Sequence, residues 1–127
     1  MTSPVVLLVE DNAKNLKLAR DVLEHAGFVV RVAVTGEDAL LEATASPPDL
    51  ILMDLQLPGM DGHGALAHLR DDPRTSTIPV VALTALAMRA DRERALSAGF
   101  DGYLEKPISV RTFPDEVRRY LRSESEQ

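Results

Sequence analysis

Five polar side chains follow short apolar runs of the sequence and could together handle phosphate or a metal ion. Glu10 and Asp11 follow the first run, Asp54 ends another, and Thr84 and Lys106 follow two later runs. Continuous apolar runs of this length are typical of strands buried on both faces of a parallel sheet. Because chemistry in open α/β sheets gathers beyond the carboxyl ends of the strands, we expect these acids, the hydroxyl and the lysine to meet in one place.

The expected group of acids carries a charge imbalance that predicts a bound cation. Carboxylates about 4 Å apart repel each other by up to roughly 4 kcal/mol per pair at an effective dielectric constant of about 20. Lys106 supplies one positive charge, and a hard divalent cation such as Mg²⁺ can supply the rest through oxygen ligands. Zinc is not expected, because the chain has no cysteine and no histidine close to these acids in the sequence.

Length and composition predict one soluble globular domain over residues 1–127, with a frayed polar tail at 123–127. The net charge of −6 and the aromatic content of 4% argue against nucleic-acid binding, which needs a basic face and stacking side chains. The chain has no cysteine, no leader pattern and no apolar stretch of membrane-spanning length. We therefore expect a cytoplasmic protein without membrane insertion.

Apolar runs and helix signals alternate along the chain. The runs predict strands over residues 5–9, 29–33, 50–53, 80–83 and 102–104. Caps and stop signals predict the helices between them, over residues 12–26, 35–45, 64–70, 89–98 and 112–122. Pro114 predicts a late start for the last helix, with Thr112 and Asp115 as its capping box. Five βα units predict a three-layer α/β sandwich.

The ordered motifs resemble the receiver domain of bacterial two-component response regulators over essentially the whole chain. They are the acidic pair at 10–11, the segment 53–58 around Asp54, the turn at 61–62, and the pairs at 84–85 and 106–107. Each motif is common alone, but all of them in this order are specific. The segments 84–88 and 106–110 further resemble the single-domain cell-division receivers of the DivK type.

This resemblance implies a flavodoxin-like (βα)5 sandwich whose parallel five-stranded sheet has the order 2-1-3-4-5. It implies a phosphorylation-dependent signalling switch that takes a phosphoryl group onto Asp54 from a phosphohistidine, with Mg²⁺ as cofactor. The donor would be a sensor histidine kinase or a histidine phosphotransfer protein, and the downstream protein is unknown. Such a chain is not an enzyme in the usual sense, since it catalyses only its own phosphorylation and dephosphorylation.

The resemblance also implies individual roles around the acceptor. Asp11 and Asp54 would bind Mg²⁺ directly, together with the main-chain carbonyl of Gln56. Glu10 would act through water or as an outer ligand. The structural alternative for Glu10 and Asp11 is that they cap the first helix, because acidic side chains are favourable at the positive, N-terminal end of the helix dipole.

The phosphoryl oxygens would meet Lys106, the Thr84 hydroxyl and the Ala85 N–H. Movement of Thr84 toward the phosphoryl group would leave space for an aromatic side chain on the last strand, and Tyr103 stands at that position. Tyr103 can equally be a packed tyrosine without a switching role. Leu86 is a departure, because many members of the family carry a polar group there.

The resemblance places partner docking on the first helix and the last loop, at Asn15, Leu18 and Pro107. Leu18 lies outside the main core stripe of its helix, so either that stripe is wide or Leu18 is an exposed contact. Two other functions remain open. One is a Mg²⁺-dependent aspartyl phosphohydrolase. Such enzymes carry a second acid two residues after the nucleophile, and the presence of Gln56 at that position argues against this function. The other is an adapter that acts without phosphorylation.

Overall fold

Five parallel strands form one sheet in the order β2-β1-β3-β4-β5, as predicted. The computed structural model describes residues 3–57, 59–85, 89–106 and 108–121. The strands are β1 (Val5–Val9), β2 (Val29–Ala33), β3 (Leu50–Asp54), β4 (Val80–Thr84) and β5 (Gly102–Glu105). Every residue of β3 and β4 is buried, which explains why each strand is apolar up to its last residue.

Five helices cover the two faces of the sheet, namely α1 (Ala13–His25), α2 (Gly36–Ala45), α3 (Gly62–Asp71), α4 (Arg89–Ala98) and α5 (Phe113–Tyr120). Buried side chains of α1 and α5 pack against one face. Those of α2, α3 and α4 pack against the other. The predicted three-layer α/β sandwich is confirmed. Among the residues that the structure describes, no helix is long and apolar enough to cross a membrane.

Side-chain caps fix where the first three helices begin. The Asn12 side chain accepts two backbone N–H groups at the start of α1, and Thr35 accepts one at the start of α2. At α3, Asp61 Oδ1 accepts the Gly64 N–H at 2.8 Å. Helix α3 therefore begins at Gly62, two residues before the predicted start, because the cap outweighs the weak helix propensity of its glycines.

Helix α5 begins late, as Pro114 predicted, but the predicted capping box at Thr112 is wrong. Thr112 has helical dihedrals, with φ −107° and ψ −21°, and its side chain caps no backbone N–H. Its hydroxyl instead donates to Glu116 Oε1 at 3.3 Å. A residue already in the helical conformation directs its side chain along the helix rather than back over the first turn. The helix ends at Tyr120, and Arg122 and the predicted frayed tail lie outside the described residues.

The strand register brings the chemical residues to one edge of the sheet. Val9 pairs with Met53, so the residues after them, Glu10 and Asp54, lie side by side. Asp54 pairs with Leu83 on its other side, one residue before the end of β4. The polar residues that follow the apolar runs therefore share the carboxyl edge of the sheet, as expected for parallel strands.

Candidate functional site

Three carboxylates converge at the carboxyl edge. Each of Glu10, Asp11 and Asp54 contributes an oxygen, and these oxygens lie within 4.8 Å of one another. Glu10 and Asp54 are only 2% and 4% exposed, whereas Asp11 is exposed. The cluster therefore has two buried members and one that opens to solvent.

Lys106 lies between the two buried acids. Its Nζ is 2.5 Å from Glu10 Oε1 and 3.0 Å from Asp54 Oδ2. Its backbone N–H donates to the Thr84 carbonyl oxygen at 2.8 Å, which ties the residue after β5 to the end of β4. One ammonium group thus serves two carboxylates from neighbouring strands.

The remaining oxygens of the buried acids accept backbone N–H groups from the residues that follow. Glu10 Oε2 accepts the Asn12 N–H at 3.1 Å, and Asp54 Oδ1 accepts the Gln56 N–H at 2.9 Å. Both carboxylates are therefore held at both oxygens. This leaves the exposed carboxylate of Asp11 as the group most accessible to an incoming cation.

The pKa directions reflect this crowding. Burial raises the pKa of Glu10, and the neighbouring Asp54 raises it further, although Lys106 and the Asn12 N–H act in the opposite direction. Burial alone lowers the pKa of Lys106, but its hydrogen bonds to Glu10 and Asp54 outweigh that effect and raise it. Lys106 therefore stays charged, whereas the ionised form of the Glu10 carboxylate is destabilised.

The donor set fits a hard divalent cation. Every candidate ligand is an oxygen atom, which is the ligand type of Mg²⁺. One ammonium group cannot balance three ionised carboxylates, so a divalent cation would restore neutrality at the cluster. The predicted residues Glu10, Asp11 and Asp54 are thus brought together in a form suited to Mg²⁺. The Gln56 backbone reaches the same carboxylate through its N–H, and its carbonyl as a ligand stays a prediction.

The other predicted phosphoryl-binding residues flank this cluster. Thr84 is the last residue of β4 and is fully buried. Ala85 follows it and is exposed. The predicted departure at Leu86 lies outside the described residues.

Tyr103 is buried in the structure, on the face covered by α2, α3 and α4. Its backbone pairs with Ala82 of β4, two residues before Thr84. Burial raises the pKa of its phenol, with smaller contributions from Asp91 and Glu105. This burial fits the packed tyrosine, and the switching role stays a prediction.

The predicted docking residues of α1 lie beside the acid cluster. Asn15 and Leu18 are exposed, and Leu18 is 41% accessible, so the core stripe of α1 does not extend to it. Both residues line a cavity of about 40 Å³ together with Glu10 and Lys106. Pro107 lies outside the described residues.

Sequence reasoning missed the close approach of two residues, Gly36 and Met60. They touch each other where the loop after β3 meets the start of α2. The available signal was a glycine in the first turn of a predicted helix, which often marks a close backbone approach. The partner of such a glycine depends on tertiary structure and cannot be found from spacing.

Comparisons with known proteins agree with this geometry. A family model described as the response regulator receiver domain matches residues 6–118. The chain is 44% identical over 116 residues to the polar-differentiation response regulators DivK of Brucella ovis and Brucella suis, covering 91% of this chain and 94% of theirs.

Solved structures give the same result. The chemotaxis response regulator CheY4 of Vibrio cholerae has a TM-score of 0.89 and 27% identity, with 94% of this chain and all of that chain covered. The receiver domain of a sensor histidine kinase of Pseudomonas aeruginosa has a TM-score of 0.86 and 34% identity, with 94% and 98% covered. That structure is described with a magnesium ion coordinated in its active site cleft. The chain therefore belongs to the response regulator receiver domain family, whose members are phosphorylation-dependent signalling switches.

Proposed function

We propose that Asp54 accepts a phosphoryl group from a phosphohistidine of a sensor histidine kinase or a histidine phosphotransfer protein. The observation that supports this most is the convergence of three acids and Lys106 around the buried carboxylate at the end of β3. An oxygen of Asp54 attacks phosphorus, and the bond between phosphorus and the histidine nitrogen breaks. The leaving imidazole takes up a proton, and Asp54 carries an acyl phosphate.

Positioning and charge neutralisation do most of the work in such a transfer. Lys106 Nζ is 3.0 Å from Asp54 Oδ2, within reach of one oxygen of a phosphoryl group on that carboxylate. The Thr84 hydroxyl and the Ala85 N–H are the proposed donors to a second oxygen. Donors held in place before the reaction cost no reorganisation when charge develops on the phosphoryl group.

Asp11, Asp54 and the Gln56 carbonyl are the proposed ligands of Mg²⁺. Glu10 is assigned an outer role, because its carboxylate makes the shorter contact with Lys106 Nζ, at 2.5 Å against 3.0 Å for Asp54. When bound, Mg²⁺ supplies positive charge next to the phosphoryl oxygens. Glu10 holds Lys106 in position for the same group.

Thr84 and Tyr103 are the proposed switch. A hydroxyl drawn toward the phosphoryl group vacates space at the end of β4, and Tyr103 lies on the adjacent strand, paired with Ala82. A phosphoryl group that interacts more strongly with one arrangement of these side chains shifts the population toward it.

Residues 1–127 are proposed to form a single cytoplasmic receiver domain that signals through protein contacts. Asn15, Leu18 and Pro107 form the proposed docking surface for the phosphoryl donor. The exposed positions of Asn15 and Leu18 beside Glu10 and Lys106 support this, since a donor histidine must come within bonding distance of Asp54. The chain is proposed to catalyse only its own phosphorylation and dephosphorylation.

The test is phosphoryl labelling of Asp54→Asn by acetyl phosphate and by a panel of autophosphorylated histidine kinases. The amide keeps the shape of the side chain and lacks the nucleophilic charge, so we expect no labelling and a folded protein. The matched control is Asp101→Asn, which makes the same change at the opposite end of the sheet and should label normally. Full labelling of Asp54→Asn would refute the proposal.

A further inference from the structure

The loop between β3 and α3 is anchored at both ends beside the acceptor. After β3, the Leu55 N–H donates to the Leu83 carbonyl at 3.1 Å, and the Gln56 N–H donates to Asp54 Oδ1 at 2.9 Å. At the first residue of α3, the Gly62 N–H donates to the Leu55 carbonyl at 3.3 Å. The two ends of the loop thus lie beside the acceptor, and Met60, close to its second end, packs against another element.

That element is the start of α2. A Cβ atom on Gly36 would lie 2.9 Å from the Met60 carbonyl oxygen, and 3.2 Å from both Met60 Cβ and Met60 Cγ. Gly36 is buried, and Thr35 before it caps the helix by accepting the Asp38 N–H. The loop therefore packs on α2 at a distance that only a residue without a side chain permits.

Backbone conformation does not explain this glycine. The described glycines with positive φ are Gly27, Gly59 and Gly99, and Gly36 is not among them. An alanine could adopt the same dihedrals and is the better helix former. The space taken up by Met60 is what requires glycine at position 36.

A second close contact fixes the loop from the side of the sheet. A Cβ atom on Gly62 would lie 2.8 Å from the Asp54 carbonyl oxygen and 3.0 Å from Leu55 Cα. Met60 therefore meets the start of α2, and Gly62 meets the end of β3. A displacement at Met60 has little room to relax before it reaches the backbone next to Asp54.

We propose that Gly36 and Met60 form a latch that positions the β3–α3 loop, and with it the backbone of Gln56, for cation binding at Asp54. This inference rests on the proposed Mg²⁺ site. Gly36 and Met60 are positioning residues, because they act through the loop and touch neither the cation nor the phosphoryl group.

The experiment compares Mg²⁺ binding by isothermal titration calorimetry in the wild type, Gly36→Ala and Gly64→Ala. Gly64 is the matched control because a Cβ atom there meets only side-chain atoms, Met60 Cγ at 3.3 Å and Asp61 Oδ1 at 3.4 Å, which can move aside. In Gly36→Ala the obstacle is a backbone oxygen, so the loop itself must shift. We expect Gly36→Ala to bind Mg²⁺ about tenfold more weakly, as loss of support around metal ligands typically does, and Gly64→Ala to bind like the wild type.

The melting temperature in EDTA separates positioning from loss of fold. A Gly36→Ala variant that melts like the wild type and binds Mg²⁺ more weakly supports the latch, and one that binds as tightly as the wild type overturns it. If Gly36→Ala does not fold, Met60→Ala provides the test, because it removes Met60 Cγ from the contact with Gly36 without adding atoms and should also weaken binding. Wild-type affinity in Met60→Ala would then overturn the latch. Absence of Mg²⁺ binding in the wild type would refute the proposed cation site instead.

Discussion

At the amino end of the sheet, Asp49 and Asp101 each pair with the backbone of a neighbouring strand, whereas at the carboxyl end Glu10, Asp11 and Asp54 face one another. Asp49 Oδ2 accepts the Val5 N–H at 2.7 Å, and the Asp49 N–H donates back to the Val5 carbonyl at 2.8 Å. Asp101 makes the same reciprocal pair at the start of β4. Acids at the amino end complete the strand ladders.

Arg70 makes further hydrogen bonds at the amino end of the sheet. It donates to the carbonyl oxygens of Ser76, Ile78 and Gly99, and to Asp101 Oδ2 at 2.8 Å. The guanidinium group thus joins the end of α3 to the residues around β4 and β5. At this end Arg70 and Asp101 therefore form an ion pair, and Asp49 accepts a backbone N–H.

The carboxyl end is not balanced in this way. One ammonium group on Lys106 serves both buried acids, and Asp11 adds a third carboxylate. Like charges held together in a folded protein destabilise it unless a cation or a proton compensates. The amino end of the sheet is therefore organised for stability and the carboxyl end for binding. The following predictions test this division.

The largest expected effect is that of Lys106→Met on phosphoryl transfer. This change removes the ammonium group beside Asp54 and keeps an unbranched apolar side chain of about the length of the lysine stem. Loss of one preorganised group of this kind costs about 10²–10³-fold in rate, so labelling by acetyl phosphate should slow by that order. A labelling rate equal to that of the wild type would show that Lys106 has no part in the transfer.

The second effect is stabilisation by Mg²⁺, which should be confined to the carboxyl end. A ligand that binds only the native state stabilises it by about 2.7 kcal/mol at a hundredfold excess over its dissociation constant. Thermal denaturation with and without Mg²⁺ should show this shift in the wild type and in Asp49→Asn, but not in Asp11→Ala. An undiminished shift in Asp11→Ala would place the cation elsewhere.

Arg70→Met should have the opposite profile to Lys106→Met. It removes four hydrogen bonds at the amino end, and partial exposure of the side chain moderates the cost to about 2 kcal/mol. Urea denaturation should show the lower free energy of unfolding, and the labelling rate should match that of the wild type. A large loss of labelling in a folded Arg70→Met protein would break the proposed division between the two ends.

The smallest expected effect is on the pH dependence of stability without divalent cations. Burial beside Asp54 raises the pKa of Glu10 above its ordinary value of 4.5, with Lys106 opposing, so the folded protein holds that proton more tightly than the unfolded chain. The Glu10 contribution to the free energy of unfolding therefore falls as pH rises from 4.5 through the raised folded-state pKa.

Glu10→Gln cannot titrate and should lack this decline. The measurement is urea denaturation in EDTA from about pH 4 to about pH 8, a range in which Lys106 remains charged. Parallel pH profiles for the wild type and Glu10→Gln would contradict the raised pKa.

Much of the fold and site could be predicted because a functional polar residue stands at or directly after the end of a buried apolar strand. The apolar run of β3 ends at Asp54, and the run of β1 ends just before Glu10, so spacing alone predicted the edge where they meet. The start of α3 was predicted two residues late because Gly62 and Gly64 have weak helix propensity, whereas the Asp61 cap starts the helix at Gly62. Local composition and the cap gave opposite signals there, and the cap prevailed.

The remaining differences depend on tertiary structure. Thr112 was predicted as a capping residue from its spacing to Asp115, but the path of the chain into α5 gave it helical dihedrals instead. The contact between Gly36 and Met60 joins two segments that no short motif connects. The single domain over residues 1–127, the docking surface and the cytoplasmic location stay predictions.

The most direct test of the central claim is to locate the phosphoryl group by mass spectrometry. The wild-type protein is labelled with acetyl phosphate in Mg²⁺, the acyl phosphate is reduced with borohydride, and the modified residue is identified in peptides. The account predicts modification at Asp54, and no such signal from Asp54→Asn treated in parallel. Modification at Asp11, or at any residue away from the carboxyl edge of the sheet, would contradict it.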